Sequence, residues 1–153
     1  MSFRSIDVDA LDEDILHQDE LFVFSNGIEI DPETALNDVK TKEVDVRNFL
    51  TRGETTTALI KAIENPPYGL HTSEAKDRNT QIVMDVLNST KATVDLTKSL
   101  STEQQDILMK YIYRGMASPD LYNSAVLLNW HEKLTEAAGV GCIVRVITDR
   151  KTV

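Results

Sequence analysis

The 153-residue chain is 41% hydrophobic and carries a formal charge of −9 with a pI near 4.7, which limits its class. The length allows one compact domain of about 100 residues plus a short extension. The single cysteine, Cys142, cannot form an internal disulfide, and no charged-then-apolar leader is seen, so we expect a reducing cytosolic setting. No apolar run approaches the roughly 18 residues that span a bilayer, and a net anion without a basic stripe is repelled by nucleic acid and anionic lipid.

The negative charge is concentrated at one end of the chain. The first 45 residues hold 13 Asp and Glu against 3 Lys and Arg, whereas the other 108 hold 12 against 13. This division predicts an acidic N-terminal arm that docks onto partners, followed by a domain that folds. We place the extended arm at residues 1–43 and a single helical domain at residues 44–153.

Short apolar islands interrupt the acidic arm. Ile6, Asp7, Val8 and Asp9 alternate, so in an extended conformation both carboxylates face one way and both aliphatic side chains the other. The pattern favours a strand-like segment laid in a groove of a partner. A solvated acidic tail with incidental hydrophobic residues is the alternative interpretation.

Beyond the arm, apolar residues recur at the spacing of amphipathic helices. Six or so helices with short connections favour helix-on-helix packing, so the sequence predicts an all-α domain. The stretches that show the periodicity are 44–50, 58–63, 75–87, 94–100, 107–112 and 125–138.

Glycine and proline mark where these helices are predicted to end. Gly53 suits the left-handed position that closes a helix, and Pro66-Pro67 force the preceding residue out of the helical region. Gly115 and Gly139 are predicted to end two later helices. Asp31-Pro32 is interpreted as a further interruption of the chain within the arm.

Two helix starts carry capping signals. Ser73 is predicted to cap the helix that follows it. Ser101 and Gln104 have the spacing of a capping box, in which each side chain satisfies the free backbone N–H of the other.

The segment from Cys142 to Ile147 is ambiguous in its local pattern. Its β-branched, alternating composition is typical of a strand, yet the body offers no second strand for it to pair with. We therefore interpret it as a buried helix.

No pattern of residues indicates catalysis. The histidines His17, His71 and His131 lie far apart and form no metal-ligand pair. His131 and Glu132 point about 100° apart on a helix, so they do not share a face as an acid–base pair would. Cys142 has no neighbouring histidine and is predicted to be a small buried hydrophobic residue. We predict no enzyme activity, no cofactor and no metal.

Several collinear stretches are more specific than these isolated signals. In the body they read LMKYIYRG at 108–115, AVLL at 125–128, WHEK at 130–133, GVG at 139–141, IVRV at 143–146 and RKTV at 150–153. Asn65-Pro66-Pro67, the residues 75–78, and Phe3-Arg4 followed by Asp7-Val8-Asp9 extend the pattern. From residue 3 to residue 153 the chain resembles the sixteen-kilodalton subunit (subunit five) of the actin-related protein 2/3 complex, with 17–43 similar only in acidity.

The resemblance implies a small αα superhelix of six or seven helices, a non-catalytic structural member of a seven-subunit assembly that nucleates actin branches from existing filaments. It implies that the body packs against subunit four, subunit two and the β-propeller subunit. The arm is expected to tether the actin-related protein 2 subunit, and the complex is expected in the cytoplasmic actin cytoskeleton, in cortical patches. The arm's contact residues would be Phe3, Arg4, Ile6, Asp7, Val8 and Asp9.

Two other functions remain open at this point. A small helical adaptor of an unrelated cytosolic assembly has the same periodicities. An enzyme that holds a divalent metal through Asp7, Asp9, Asp12 and Asp14 is the other, although the glycine and distal glutamate of a calcium-binding loop are absent at the required spacing.

Overall fold

The computed structural model describes residues 31–69 and 71–153, and this part of the chain forms seven helices without a strand. The prediction of an all-α fold is confirmed. The predicted contact residues of the arm, from Phe3 to Asp9, lie outside the described residues. The helices are α1 (Pro32–Thr51), α2 (Thr55–Ile63), α3 (Ser73–Ser89), α4 (Val94–Lys98), α5 (Thr102–Met116), α6 (Ser124–Ala138) and α7 (Val140–Thr148).

The helices pack mostly against neighbours along the chain. α1, α2 and α3 contact one another, while α5 contacts both α6 and α7, and α4 packs on α6. Contacts of α5 with α2 and α3 join these two groups around one core. Within the described ranges, no helix is both long and apolar enough to cross a membrane. The largest fully buried side chains are Val39, Leu59, Ile63, Met84, Leu87, Leu108, Met109, Tyr111, Ile112, Leu127, Trp130 and Leu134.

Helix α1 begins earlier than the sequence analysis predicted. Asp31 and Pro32, interpreted as an interruption, form its start: the Asp31 carboxylate accepts hydrogen bonds from the Thr34 backbone N–H (3.1 Å) and hydroxyl (3.0 Å). An N-cap aspartate before a first-turn proline is a helix-start signal. Ala35 and Val39 bury one face of this early part. Residues 32–43, assigned to the extended arm, are therefore helical.

Several predicted boundaries agree with the structure. Gly53 follows α1 with φ of 79°, and Asn65 before the two prolines lies outside α2 with φ of 43°. The predicted capping box is confirmed, since the Ser101 hydroxyl accepts from the Gln104 N–H (3.3 Å) and the Gln104 side chain accepts from the Ser101 N–H (2.9 Å). The prediction for Ser73 is wrong, because it is the first helical residue of α3 and makes no capping bond.

Gly115 does not end α5 but lies inside it. A Cβ added there would stand 2.7 Å from Cε of Met84 and 2.9 Å from Cδ1 of Leu127. The missing side chain lets α5 approach α3 and α6 closely, so this glycine serves packing rather than helix termination. The helix continues to Met116.

Side chains from other helices cap the C-terminal ends of several helices. The last carbonyls of an α-helix have no partner within the helix. The Trp130 indole N–H donates to the carbonyl of Leu87 near the end of α3 (3.1 Å), and the Gln105 amide donates to the carbonyl of Thr97 near the end of α4 (2.9 Å). The first bond connects helices that are far apart in the chain, and the second connects two consecutive helices.

Lys42 caps the end of α2 from α1. Its ammonium donates to the carbonyls of Glu64 (2.6 Å) and Asn65 (3.3 Å) and to the side-chain oxygen of Asn79 (3.2 Å). Asn79, which is fully buried, in turn donates to the Tyr111 hydroxyl. Burial lowers the pKa of Lys42 to about 8, although the Glu64 carboxylate opposes this shift. The network thus joins α1, α2, α3 and α5 through polar groups that have partners inside the core.

Replacing Lys42 by methionine should destabilise the protein by about 1–2 kcal/mol at pH 7, because the buried side-chain oxygen of Asn79 and the partly buried carbonyls of Glu64 and Asn65 lose their donor. The difference in unfolding free energy between the wild type and this variant should widen at higher pH. The native lysine loses its proton near pH 8, whereas the unfolded one keeps it to about 10.5. The unfolded state then binds more protons, so wild-type stability gains up to about 1.4 kcal/mol per pH unit in that window.

Urea unfolding of both proteins at pH 7, 8, 9 and 10 measures this effect. Other groups titrate in the same range, but they are present in both proteins and cancel in the difference. A stability difference that stays constant from pH 7 to pH 10 would contradict the lowered pKa of Lys42.

Residues 149–153, here called the strap, follow α7 and lie against α5. Lys110 on α5 donates to the Asp149 carboxylate (2.6 Å) and to the carbonyl of Lys151 (2.8 Å). The Lys110 and Lys151 ammonium groups lie 5.4 Å and 5.7 Å from the ring centroid of Tyr68. Val153 is only 4% exposed. The strap is therefore part of the folded body.

Candidate interaction surface

Helix α7 has one buried and one exposed apolar face. The helix predicted for residues 142–147 is confirmed. The prediction that this helix is buried is correct for the side with Cys142 and Val146 and wrong for the opposite side. Val140, Val144 and Ile147 are 67%, 55% and 71% exposed. Their spacing places them on one side of the helix. We call these three residues the outer face of α7.

The inner side of α7 is fixed to α5. Arg145 makes two hydrogen bonds to the Asp106 carboxylate, at 2.7 Å and 2.8 Å, and the Cys142 thiol lies 3.8 Å from the carbonyl of Gln105. At its start, Gly139 takes a φ of 73° that lets the chain turn directly from α6 into α7. The outer face is thus presented on a helix held at both ends, by this turn and by the strap.

The pKa values on the inner side agree with a structural role. Burial tends to raise the pKa of Asp106, but the hydrogen bonds from Arg145 and Cys142 outweigh it, and the net pKa is lowered. Burial, followed by the neighbouring Asp106, raises the pKa of the Cys142 thiol to about 12. Cys142 therefore stays protonated at neutral pH and is a poor nucleophile, as its interpretation as a small buried residue implies.

Other large exposed apolar side chains of the described residues are scattered. Val44 is on α1, Leu121 is in the connection before α6, and Leu128 is on α6. Isolated exposed apolar residues are normal on protein surfaces, whereas a cluster on one rigid element is typical of a contact site. The outer face of α7 is accordingly the strongest candidate surface in the described part.

The residues considered for catalysis have structural partners. The His131 ring contacts the Tyr113 hydroxyl (3.2 Å), whereas the adjacent Glu132 pairs with Lys133 (3.2 Å), so the two side chains face different neighbours. Across residues 31–69 and 71–153, no group of three or more His, Cys, Asp or Glu is placed to hold a metal ion. The four aspartates considered for metal binding, like the six contact residues of the arm, precede residue 31.

Sequence reasoning missed the outer face of α7 because every apolar residue of the segment was assigned to the core. The signal was present, since Val140, Val144 and Ile147 repeat at intervals of four and three. Cys142 and Val146 have the same kind of spacing, however. Periodicity alone identifies two apolar stripes on this helix and does not tell which one is covered.

An all-helical body with a rigidly held apolar face is typical of a protein that binds other proteins. The family model described as "ARP2/3 complex 16 kDa subunit (p16-Arc)" matches residues 2–153. The chain belongs to this family of structural, non-enzymatic subunits of the Arp2/3 complex, so the resemblance found in the sequence is confirmed.

Relatives from distant organisms are named as the same subunit of this complex. The chain is 39% identical over 153 residues to actin-related protein 2/3 complex subunit 5-C of Xenopus laevis, an alignment that covers 99% of this chain and 94% of the relative. It is 38% identical over 118 residues to subunit 5 of Dictyostelium discoideum, covering 76% and 84%. The human subunit 5-like protein is 35% identical over 153 residues, covering 99% and 94%.

Proposed function

We propose that this chain is a scaffold of the Arp2/3 complex: its helical body docks onto neighbouring subunits and its acidic arm tethers the actin-related protein 2 subunit. In this way it supports nucleation and branching of actin filaments without catalysis. The observation that carries the proposal is the outer face of α7, whose exposed apolar side chains lie on a helix anchored by Arg145 and the strap.

The proposed partners of the body are subunit four, subunit two and the β-propeller subunit. Burying an apolar side chain at an interface contributes roughly 25 cal/mol per Å² removed from water. The outer face of α7 supplies such area without any change in the fold, because its helix is already fixed to α5. A preorganised surface loses little conformational entropy on binding, which favours stable assembly.

The proposed tether acts through effective concentration. An arm attached to a docked body keeps its contact residues near the actin-related protein 2 subunit, so weak contacts are enough to hold that subunit during conformational change. Ordering the arm costs entropy, which keeps its net affinity modest and its binding reversible. We assign the apolar anchors to Phe3 and Val8, and contacts with basic or backbone N–H groups to Asp7 and Asp9; Arg4 and Ile6 complete the contact set.

Deleting residues 1–20 should leave a body that still enters the complex but holds the actin-related protein 2 subunit about a hundredfold more weakly, because the intramolecular advantage is lost. Native mass spectrometry of the purified complex on serial dilution measures the loss of that subunit. The double change Phe3→Ala and Val8→Ala should reproduce most of the effect.

The matched control is Asp12→Asn with Asp14→Asn, which alters the acidic arm outside the proposed contacts. It should retain the actin-related protein 2 subunit as the unaltered chain does. Equal retention by the truncated chain would refute the tether while leaving membership of the complex intact.

Membership of the complex implies the cytoplasmic actin cytoskeleton as the site of action, with actin filaments contacted through the assembly. The finer location that we propose is cortical actin patches. A fluorescent fusion of the full chain should colocalise with filamentous actin at the cell cortex, and an even cytoplasmic distribution would speak against this location.

A further inference from the structure

Lys76 on α3 has an unusual environment for a buried cation. The residue is 8% exposed, and its ammonium donates to the Thr152 hydroxyl of the strap at 3.2 Å. Over the described residues, that hydroxyl is its hydrogen-bond partner and no carboxylate forms an ion pair with it. A buried charge normally has a partner of opposite charge. Here a neutral hydroxyl occupies that place.

A second cation lies beside the same part of the strap. Arg114 on α5 donates to the carbonyl of Val153, and its other terminal nitrogen pairs with the Asp77 carboxylate at 2.6 Å. Asp77 is on α3 next to Lys76, and its side chain is 74% exposed. Two cations from two helices therefore face the last two residues of the strap, and Arg114 is also paired with the exposed Asp77 carboxylate.

We propose that Thr152 is a phosphorylation site whose phosphate is bound by Lys76 and Arg114. Thr152 is itself an exposed residue, and Arg150 and Lys151 precede it, which suits a kinase that selects basic residues. The γ-phosphoryl group of ATP is transferred to Oγ1 of Thr152, ADP leaves, and the hydroxyl proton passes to the base of the kinase. The product adds a phosphate where the ammonium of Lys76 already makes a hydrogen bond.

The phosphate relieves the electrostatic penalty at Lys76. Burial lowers the pKa of Lys76, and the nearby charge of Arg114 lowers it further. A phosphothreonine carries nearly two negative charges at pH 7 and forms charge-assisted hydrogen bonds with lysine and arginine. It competes with Asp77 for Arg114, but that carboxylate is exposed and remains solvated when released. The modification is expected to fasten the strap to α3 and α5.

A first experiment tests modification of the folded, full-length chain. A basophilic serine/threonine kinase with ATP should add one phosphate, which tandem mass spectrometry should place on Thr152. The Thr152→Val chain should remain unmodified under the same conditions. Modification elsewhere with none on Thr152 would overturn the proposal.

A second experiment tests the binding of the phosphate. The junction Gly141-Cys142 allows a synthetic peptide of residues 142–153 to be ligated to a thioester of residues 1–141 without changing the sequence. One peptide carries phosphothreonine at 152, and the matched control carries it at Thr148. The Thr148 hydroxyl is exposed and donates to the carbonyls of Val144 (2.9 Å) and Arg145 (3.2 Å).

Phosphorus NMR titration of the two refolded chains gives the second pKa of each phosphate, which is about 6 for an isolated group. At Thr152 we expect it about one unit lower than at Thr148, because adjacent cations favour the dianion. Lys76→Gln should remove most of the difference, and Lys76→Arg should retain it.

Equal pKa values at the two positions, or a value at Thr152 unaffected by Lys76→Gln, would overturn the proposal. Should Lys76→Gln fail to fold, the comparison between Thr152 and Thr148 in the unaltered sequence decides it.

Discussion

Changing Val140 and Val144 together to aspartate should prevent the chain from assembling into the Arp2/3 complex. Both side chains belong to the outer face of α7, and a buried unpaired carboxylate costs several kcal/mol at an interface. Loss of about 3 kcal/mol or more corresponds to at least about a hundredfold weaker binding. Reconstitution with the other subunits, followed by size-exclusion chromatography, measures the fraction of chain incorporated.

The free chain should remain folded after this double change. Both positions are exposed, and surface substitutions usually alter stability by about 0.5 kcal/mol or less. Val140 is the first residue of α7, where an acidic side chain interacts favourably with the helix dipole. Circular dichroism should therefore show an unchanged unfolding temperature.

Val44→Asp is the matched control, because Val44 is 56% exposed and lies on a different helix, α1. The same chemical change there should leave assembly intact. Normal assembly of the Val140→Asp, Val144→Asp chain would eliminate the outer face of α7 as a docking surface.

Trp130→Ala should destabilise the fold by about 3–5 kcal/mol, the largest effect that we expect from a single core substitution. Trp130 is 1% exposed, and its indole N–H caps the carbonyl of Leu87 on α3. Alanine leaves a cavity between α6 and α3 and also removes that donor. Urea unfolding followed by far-ultraviolet circular dichroism measures the loss.

Trp130→Phe separates the two contributions. Phenylalanine retains most of the aromatic volume but has no N–H, so a smaller loss of about 1–2 kcal/mol is expected. A loss below about 1.5 kcal/mol for Trp130→Ala would show that the core closes around the missing indole. Equal losses for both variants would assign the whole effect to the hydrogen bond.

Local sequence signals predicted most of the helices. Ala58, Leu59, Ala62 and Ile63 recur at helical spacing and are all fully buried in α2. The capping box at Ser101 also formed as predicted. These features depend on residues within one or two turns of each other, so the local sequence contains all the interacting groups.

Local signals were misleading where one residue type serves two purposes. The aspartate and proline at 31–32 begin α1, although the same pair also occurs in turns. Gly115 resembles a helix end, yet it lies where α5 approaches Met84 and Leu127. For Gly115 the choice depends on the close approach of α3 and α6, which the local sequence does not contain. For Asp31 and Pro32, which are exposed, the helix-start signal was local but was interpreted as a turn.

The collinear motifs by themselves determined the family, and the helical periodicity determined the all-α class, because both are properties of residue order. Only the tertiary structure decided which stripe of α7 is covered, since Arg145 binds Asp106 across 39 positions of sequence. It alone revealed that Lys42 and Trp130 cap helices 22 and 43 positions away. Such pairings arise when packing brings unsatisfied carbonyls near side-chain donors, so their partners are chosen by the fold and not by spacing.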